Sequence, residues 1–159
     1  MVEITKQDIE SNIWETFYDR ISDQVSSVTI SDGNIQTVQT ITGSFPDKPM
    51  DEKSDYPILV IESPSTSWAG PPQFTLTKKR VVGTITMNAY ATSSQAAEKL
   101  LGAMNEAIET YRKELRDLGL MFVKLDSTDK DDANRGKIKL HVKMATWSFE
   151  WIFTDTRTY

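Results

Sequence analysis

The chain has one histidine, His141, in the run Lys137-Ile-Lys-Leu-His-Val-Lys143. Imidazole is the side chain best suited to moving protons near neutral pH. Proton shuttling also needs an orienting carboxylate or a second histidine, and neither stands beside His141 in the sequence. The other reading is a solvated surface histidine. Asp126, Asp129, Asp131, Asp132 and Asn134 crowd the segment 126–137, and such oxygen ligands are what Ca²⁺ prefers. An EF-hand loop requires Gly at its sixth position and a bidentate Glu at its twelfth; counted from Asp129, those places hold Asn134 and Leu140. The segment therefore reads as a solvated hairpin loop, since Asp, Asn and Gly are also what turns require. Ser127-Thr-Asp-Lys130 has Ser-x-x-Lys spacing with no partner motif. Gly-x-Ser-x-Gly, His-Glu-x-x-His, Gly-x-Gly-x-x-Gly and the phosphate-binding Gly-x-x-x-x-Gly-Lys-Ser/Thr are absent. No catalytic, metal or cofactor residue is assigned, and the chain reads as a non-enzyme.

The remaining chemistry is that of contact. Lys137, Lys139, His141 and Lys143 alternate along one face of an extended run. They form either an edge strand defended by lysine against aggregation or a contact with an acidic surface of a neighbouring subunit or partner. The segment 63–79, SPSTSWAGPPQFTLTKK, reads as a long loop carrying Trp68 and Phe74. These aromatics either fold back onto the body or anchor another chain, because aromatics dominate interface hot spots. Trp147 and Trp151 add a second place where apolar surface exceeds what one small domain can bury. The candidate partner or subunit contacts are Trp68, Phe74, Lys78, Lys79, Arg80, Lys139, Lys143, Trp147 and Trp151.

Two regular flanks must position these residues around an irregular middle, since all six prolines lie between Pro46 and Pro72. In the first flank Ile9, Ile13, Phe17 and Ile21 recur every four residues after a candidate N-cap at Thr5, which predicts an amphipathic helix over about 6–24. Asp32-Gly33 between two β-branched runs is a hairpin signal. Tyr56-Pro-Ile-Leu-Val-Ile61 reads as a core strand. Beyond Pro72, the alternation of Val81, Ile85, Met87 and Ala89 against Val82, Thr84, Thr86, Asn88 and Tyr90 predicts a strand over 80–90. Thr92 and Gln95 form a capping box, and apolar residues from Ala97 to Leu118 follow at spacings of four and three, so a helix should fill 93–118. Gly119 stands where a left-handed C-cap belongs. Glu109 with Lys113, and Lys113 with Asp117, are opposite-charge pairs on the solvent side.

A strand over 120–125 precedes the acidic segment, and a last strand runs to Phe153. That last strand changes phase: Ile138, Leu140, Val142 and Met144 are apolar at even positions, then Ala145, Trp147, Phe149, Trp151 and Phe153 at odd ones. A one-residue shift swaps the faces of a strand. Either a bulge or sharp twist lies near Met144 and Ala145, or the second half of the strand is covered by something new. The expectation is one α+β domain over 1–159, with a mixed, mostly antiparallel sheet packed by two main helices.

At 159 residues the chain is long enough for one real core. Zero cysteines exclude a disulfide scaffold, a thiol nucleophile, an iron–sulfur cluster and a cysteine zinc site. A net charge of −5 is the wrong sign for a general nucleic-acid or anionic-membrane binder. No basic stretch with an apolar run opens the sequence, and no stretch approaches a membrane span, so the expected starting compartment is a cytoplasm.

The order of a helix, the segment Asp55-Tyr-Pro-Ile-Leu-Val-Ile-Glu62, a long loop, and Val82-Gly-Thr-Ile-Thr-Met-Asn-Ala-Tyr-Ala-Thr-Ser93 running into an Ala/Leu/Glu helix resembles the tail terminator, or tail completion, proteins of long-tailed bacteriophages and related tailed viruses. The resemblance covers about residues 5–153. It implies an α+β structural virion protein, without catalytic residues or cofactor, found in the tail of the virion and assembled in the host cytoplasm. Subunits of that family close into a hexameric ring that caps the last ring of the tail tube, stops its polymerisation and meets the head connector. DNA passes through the lumen without specific binding, which an acidic balance suits. Two other classes fit the same residues: a head–tail connector or stopper ring, and a small host ligand-binding domain.

Overall fold

The structure is a computed structural model that describes residues 9–27, 29–30, 37–45, 53–68, 78–135 and 138–154. Its elements are helix α1 (Ile9–Ser26), strand β1 (Thr40–Thr42), a short 3-10 turn (Lys53–Asp55), strands β2 (Ile58–Ile61), β3 (Ser65–Trp68) and β4 (Lys78–Ala91), helices α2 (Ser94–Thr110) and α3 (Arg112–Asp117), and strands β5 (Leu120–Arg135) and β6 (Ile138–Thr154). They form a single-domain α+β fold with one six-stranded sheet in the order β1-β2-β4-β6-β5, and β3 beside β4. All pairings are antiparallel except β1 with β2.

The backbone of the fold is the pairing of β4 with β6. It runs without interruption from Lys78 opposite Thr154 to Ala91 opposite His141. Directly opposed residues share a face, so Val81, Ile85 and Met87 join Trp151, Trp147 and Ala145 on one side, all buried. Leu59 and Ile61 of β2 extend that surface. Ile13, Phe17, Ile21 and Val25 of α1 and Ala97, Leu100, Leu101, Met104 and Ile108 of α2 complete the main core over it. Phe17 meets Phe149 with ring centroids 5.8 Å apart, and Trp14 Nε1 donates to the Ile61 carbonyl at 2.6 Å, tying α1 to β2.

The phase change in β6 involves no register shift against β4. Ile138 and Leu140 bury on the opposite face, in a second cluster with Tyr56, Ile58 and Val60, against which Phe45 and Tyr90 pack. The strand is thus covered on different faces in its two halves. The additional cover lies over the first half of the strand and not, as expected, the second; it comes from the middle segment, whose Tyr56–Pro57 peptide is cis.

Several local expectations change. Residues 29–30 are not in a strand and β1 pairs in parallel with β2; the hairpin expected at Asp32-Gly33, like the cap at Thr5, lies outside the described residues. The N-cap of α2 is Ser93, not Thr92: its Oγ accepts from Ala96 N at 3.2 Å, a bond of the kind that stabilises by about 1 kcal/mol. The helix expected to run unbroken to residue 118 is interrupted at Tyr111. Gly119 does take the left-handed conformation, with φ 102°. Glu109 pairs with Arg112 at 2.6 Å, three residues on, in place of Lys113.

Two segments expected to be loops are strands. Ser65–Trp68 pairs with β4, opposite Thr84 to Val81. Residues 62–64 stand opposite only 85–86, so β2 and β3 make one bulged strand along the same edge of β4. The acidic segment continues β5 as far as Arg135 and pairs with β6. Ser, Thr and Asp carry no apolar period, and their strand identity comes from the backbone ladder offered by the neighbour.

Candidate interaction surface

β5 starts under α3, where Arg112 Nη1 donates to the Val123 carbonyl at 2.6 Å. Register shifts between Met121 and Lys124, and again between Leu125 and Ser127, bend it away. In the first of these stands Phe122, with φ 53° and 71% exposure. A bulky aromatic at positive φ is strained, by about 1–3 kcal/mol. Here the strain displays an apolar ring where burial does not repay it. The ring edges an open groove of about 700 Å³ on the sheet face away from the helices, with Ser65, Ser67, Val82, Thr84, Lys124 and Ser148. Arg80 and Glu150 pair across this face at 3.8 Å, and the Arg80 Nε is buried with no partner among the described residues. Ser148 donates to Asp126 Oδ1 at 3.1 Å, and Lys124 Nζ lies 3.9 Å from the same oxygen. The surface is a shelf of hydroxyls with charges along it and one large apolar side chain.

The strain gives a direct expectation. Phe122→Gly should leave stability unchanged or raise it by up to about 1 kcal/mol, because a glycine takes positive φ freely. A urea midpoint lowered by more than that would show that the ring is packed.

The second surface lies on the other side of the β5–β6 hairpin. There Lys130 stands opposite Lys143, and Asp132 opposite His141. His141 Nδ1 is 3.3 Å from Asp132 Oδ1, with the two side chains 31% and 59% exposed. The carboxylate that the sequence did not place beside His141 thus comes from across the hairpin. Among the described residues no hydroxyl nucleophile bonds to its ring, and the pair stands in solvent. The acidic residues do not converge: alternation along β5 sets Asp129 and Asp131 against one face and Lys130 and Asp132 against the other. Among the described residues no group of three His, Cys, Asp or Glu could hold a metal ion, and no helix is long and apolar enough to cross a membrane.

The other sequence-selected residues divide. Trp147 and Trp151 are 1% and 2% exposed and belong to the main core, which corrects the expectation that they offer surplus apolar surface. Trp147 Nε1 donates to Asn105 Oδ1 at 3.0 Å, whereas Trp151 Nε1 is buried with no acceptor among the described residues. Arg80 lines the open face, Lys139 is exposed and Lys143 half-buried. Lys78 and Lys79 begin β4 and Trp68 ends β3; Phe74 lies outside the described residues. In the register of the sheet Trp68 stands opposite Val81, which in turn stands opposite Trp151. Phe122 was missed because an exposed phenylalanine inside an apolar strand sequence looks like a core residue; only the bulge turns it outward.

A third feature is a groove of about 700 Å³ between α1 and α3, lined by Asp19, Asp23, Glu114, Arg20 and Tyr111 among others. The Tyr111 hydroxyl donates to Asp23 Oδ2 at 3.2 Å; that hydrogen bond, with smaller contributions from desolvation and the nearby carboxylates, holds the phenol above its ordinary pKa. Arg20 is engaged with Glu114 at 3.4 Å. Compared with known proteins, the sequence matches no family model and no curated protein.

Proposed function

We propose that this chain is a tail terminator: a structural virion protein, not an enzyme, that forms a ring at the head-proximal end of a tail tube, stops its polymerisation and joins the tail to the head connector. The observation that carries the reading is the order of elements around two sequence segments, Tyr56–Ile61 leading from α1 and Val82–Ser93 leading into α2, which resembles that family. The distribution of surface supports it. The helices cover one face of the sheet, and on the other a strained, exposed Phe122 stands beside a polar groove. The positive φ at Phe122 is a cost that a neighbouring subunit could offset by burying the ring. The net charge of −5 suits a channel through which DNA slides.

The test adds the purified chain to polymerising tail-tube protein of the same virus and images the product by electron microscopy. Tubes of limited length, each closed at one end by a ring that an antibody to this chain labels, are the expected result. Unlimited tubes with no ring would overturn the reading. Label on the portal vertex of heads that lack tails would instead identify a connector or stopper.

A further inference from the structure

The cross-strand pair Lys130 and Lys143 is a like-charge contact, directly opposed in the register of the hairpin. Such a pair destabilises a sheet by itself. Lys139 and His141 continue the row, and Asp132, paired with His141, is the acid in it. An acidic occupant would remove the repulsion. The same chain carries an acidic surface of matching character: in the groove between α1 and α3, the carboxylates of Asp19, Asp23 and Glu114 outnumber the guanidinium of Arg20.

The two surfaces lie at opposite ends of α2. The strand end opposite His141 leads directly into its N-cap Ser93, and Tyr111 of the groove is its C-cap. At about 1.5 Å per residue the helix holds them roughly 25 Å apart, too far to satisfy one another within a subunit. Two different patches that complement each other on copies of one chain make a head-to-tail contact, which closes into a ring when the rotation allows.

We infer that the Lys130–Lys143 row on the β5–β6 hairpin docks on the Asp19–Asp23–Glu114 groove of a second copy of this chain. The inference rests on the ring proposed above for the number of copies, but the contact can be tested without a tail. One variant, Lys130→Glu with Lys143→Glu, makes the hairpin acidic; a second, Asp19→Lys with Asp23→Lys, makes the groove basic. Sedimentation at low salt and high protein concentration should show that wild type associates and that the association weakens with added salt. Each variant alone should associate at least about tenfold more weakly, because like charges then meet. An equal mixture should regain association, since each reversed patch finds its complement on the other variant. Circular dichroism of each variant verifies that its fold is kept.

A wild type that stays monomeric, variants that associate like wild type, or a mixture that fails to recover would each overturn the contact. The terminator reading fails separately, in the tube-capping experiment. Tubes capped normally by both variants would leave that reading standing while removing this contact from it.

Discussion

Trp147→Ala should cost about 3–5 kcal/mol of folding stability, the range for deleting a buried large aromatic. The indole is 1% exposed, stands opposite Ile85 in the β4–β6 ladder, and donates its only proton to Asn105 of α2 at 3.0 Å. Alanine leaves a cavity under the helix and removes that bond. A domain of this size has only about 5–15 kcal/mol in total, so the variant should unfold at a much lower denaturant concentration. Trp147→Phe keeps most of the apolar volume and loses the hydrogen bond, so a smaller loss of about 1–2 kcal/mol is expected. Equilibrium unfolding in urea measures both. Loss of self-association with stability kept within about 1 kcal/mol of wild type would mean that the tryptophan serves a neighbour and not the core.

Gly83→Ala should be nearly as damaging, for a different reason. Gly83 stands opposite Phe149 on one side and Thr66 on the other. A Cβ there would run into the Ser65 carbonyl oxygen, and would lie 3.1 Å from Phe149 Cζ and 3.2 Å from Thr66 Cα. Side-chain rotation can relieve the contact with the ring but not those with the backbone, so β3 must separate from β4. The expected cost is about 2 kcal/mol or more, at the upper part of the range for overpacking. Hydrogen exchange should locate it, with the amides of Ser65–Trp68 losing protection first. Gly102 in α2 supplies the control, because an added Cβ there meets nothing within 4 Å. Gly102→Ala should raise stability by up to about 1 kcal/mol through helix propensity. If Gly83→Ala were as harmless, β3 would not be held against β4 as described.

Sequence alone determined the parts of this protein whose burial is one-sided and regular. The four-and-three spacing from Ala97 to Leu118 follows the buried stripe of α2 and α3 as far as Leu115, with Tyr111 and Leu118 only half-buried, the alternation of Val81, Ile85, Met87 and Ala89 marks the helix-facing side of β4, and Gly119 adopts the positive φ that a helix end requires. Each of these signals is a period of apolar side chains or a backbone demand that one residue type meets. The phase change in β6 was also legible, but its meaning was not: it marks two cores on opposite faces of one strand, in place of a bulge against β4.

What lacked such a period was decided by tertiary structure. β3 and the acidic half of β5 are strands because a neighbour's backbone completes their ladders, not because their side chains alternate in polarity. Asp132 reaches His141, and Lys130 faces Lys143, only through a register that two irregularities in β5 displace from simple alternation. Trp147 and Trp151 look alike in sequence to surface anchors, yet the helices packed over β6 make them core, while the bulge beside Val123 sends Phe122 outward. An apolar residue states that it gains by leaving water; which surface it leaves water for depends on the elements that meet there, and those come from distant parts of the chain.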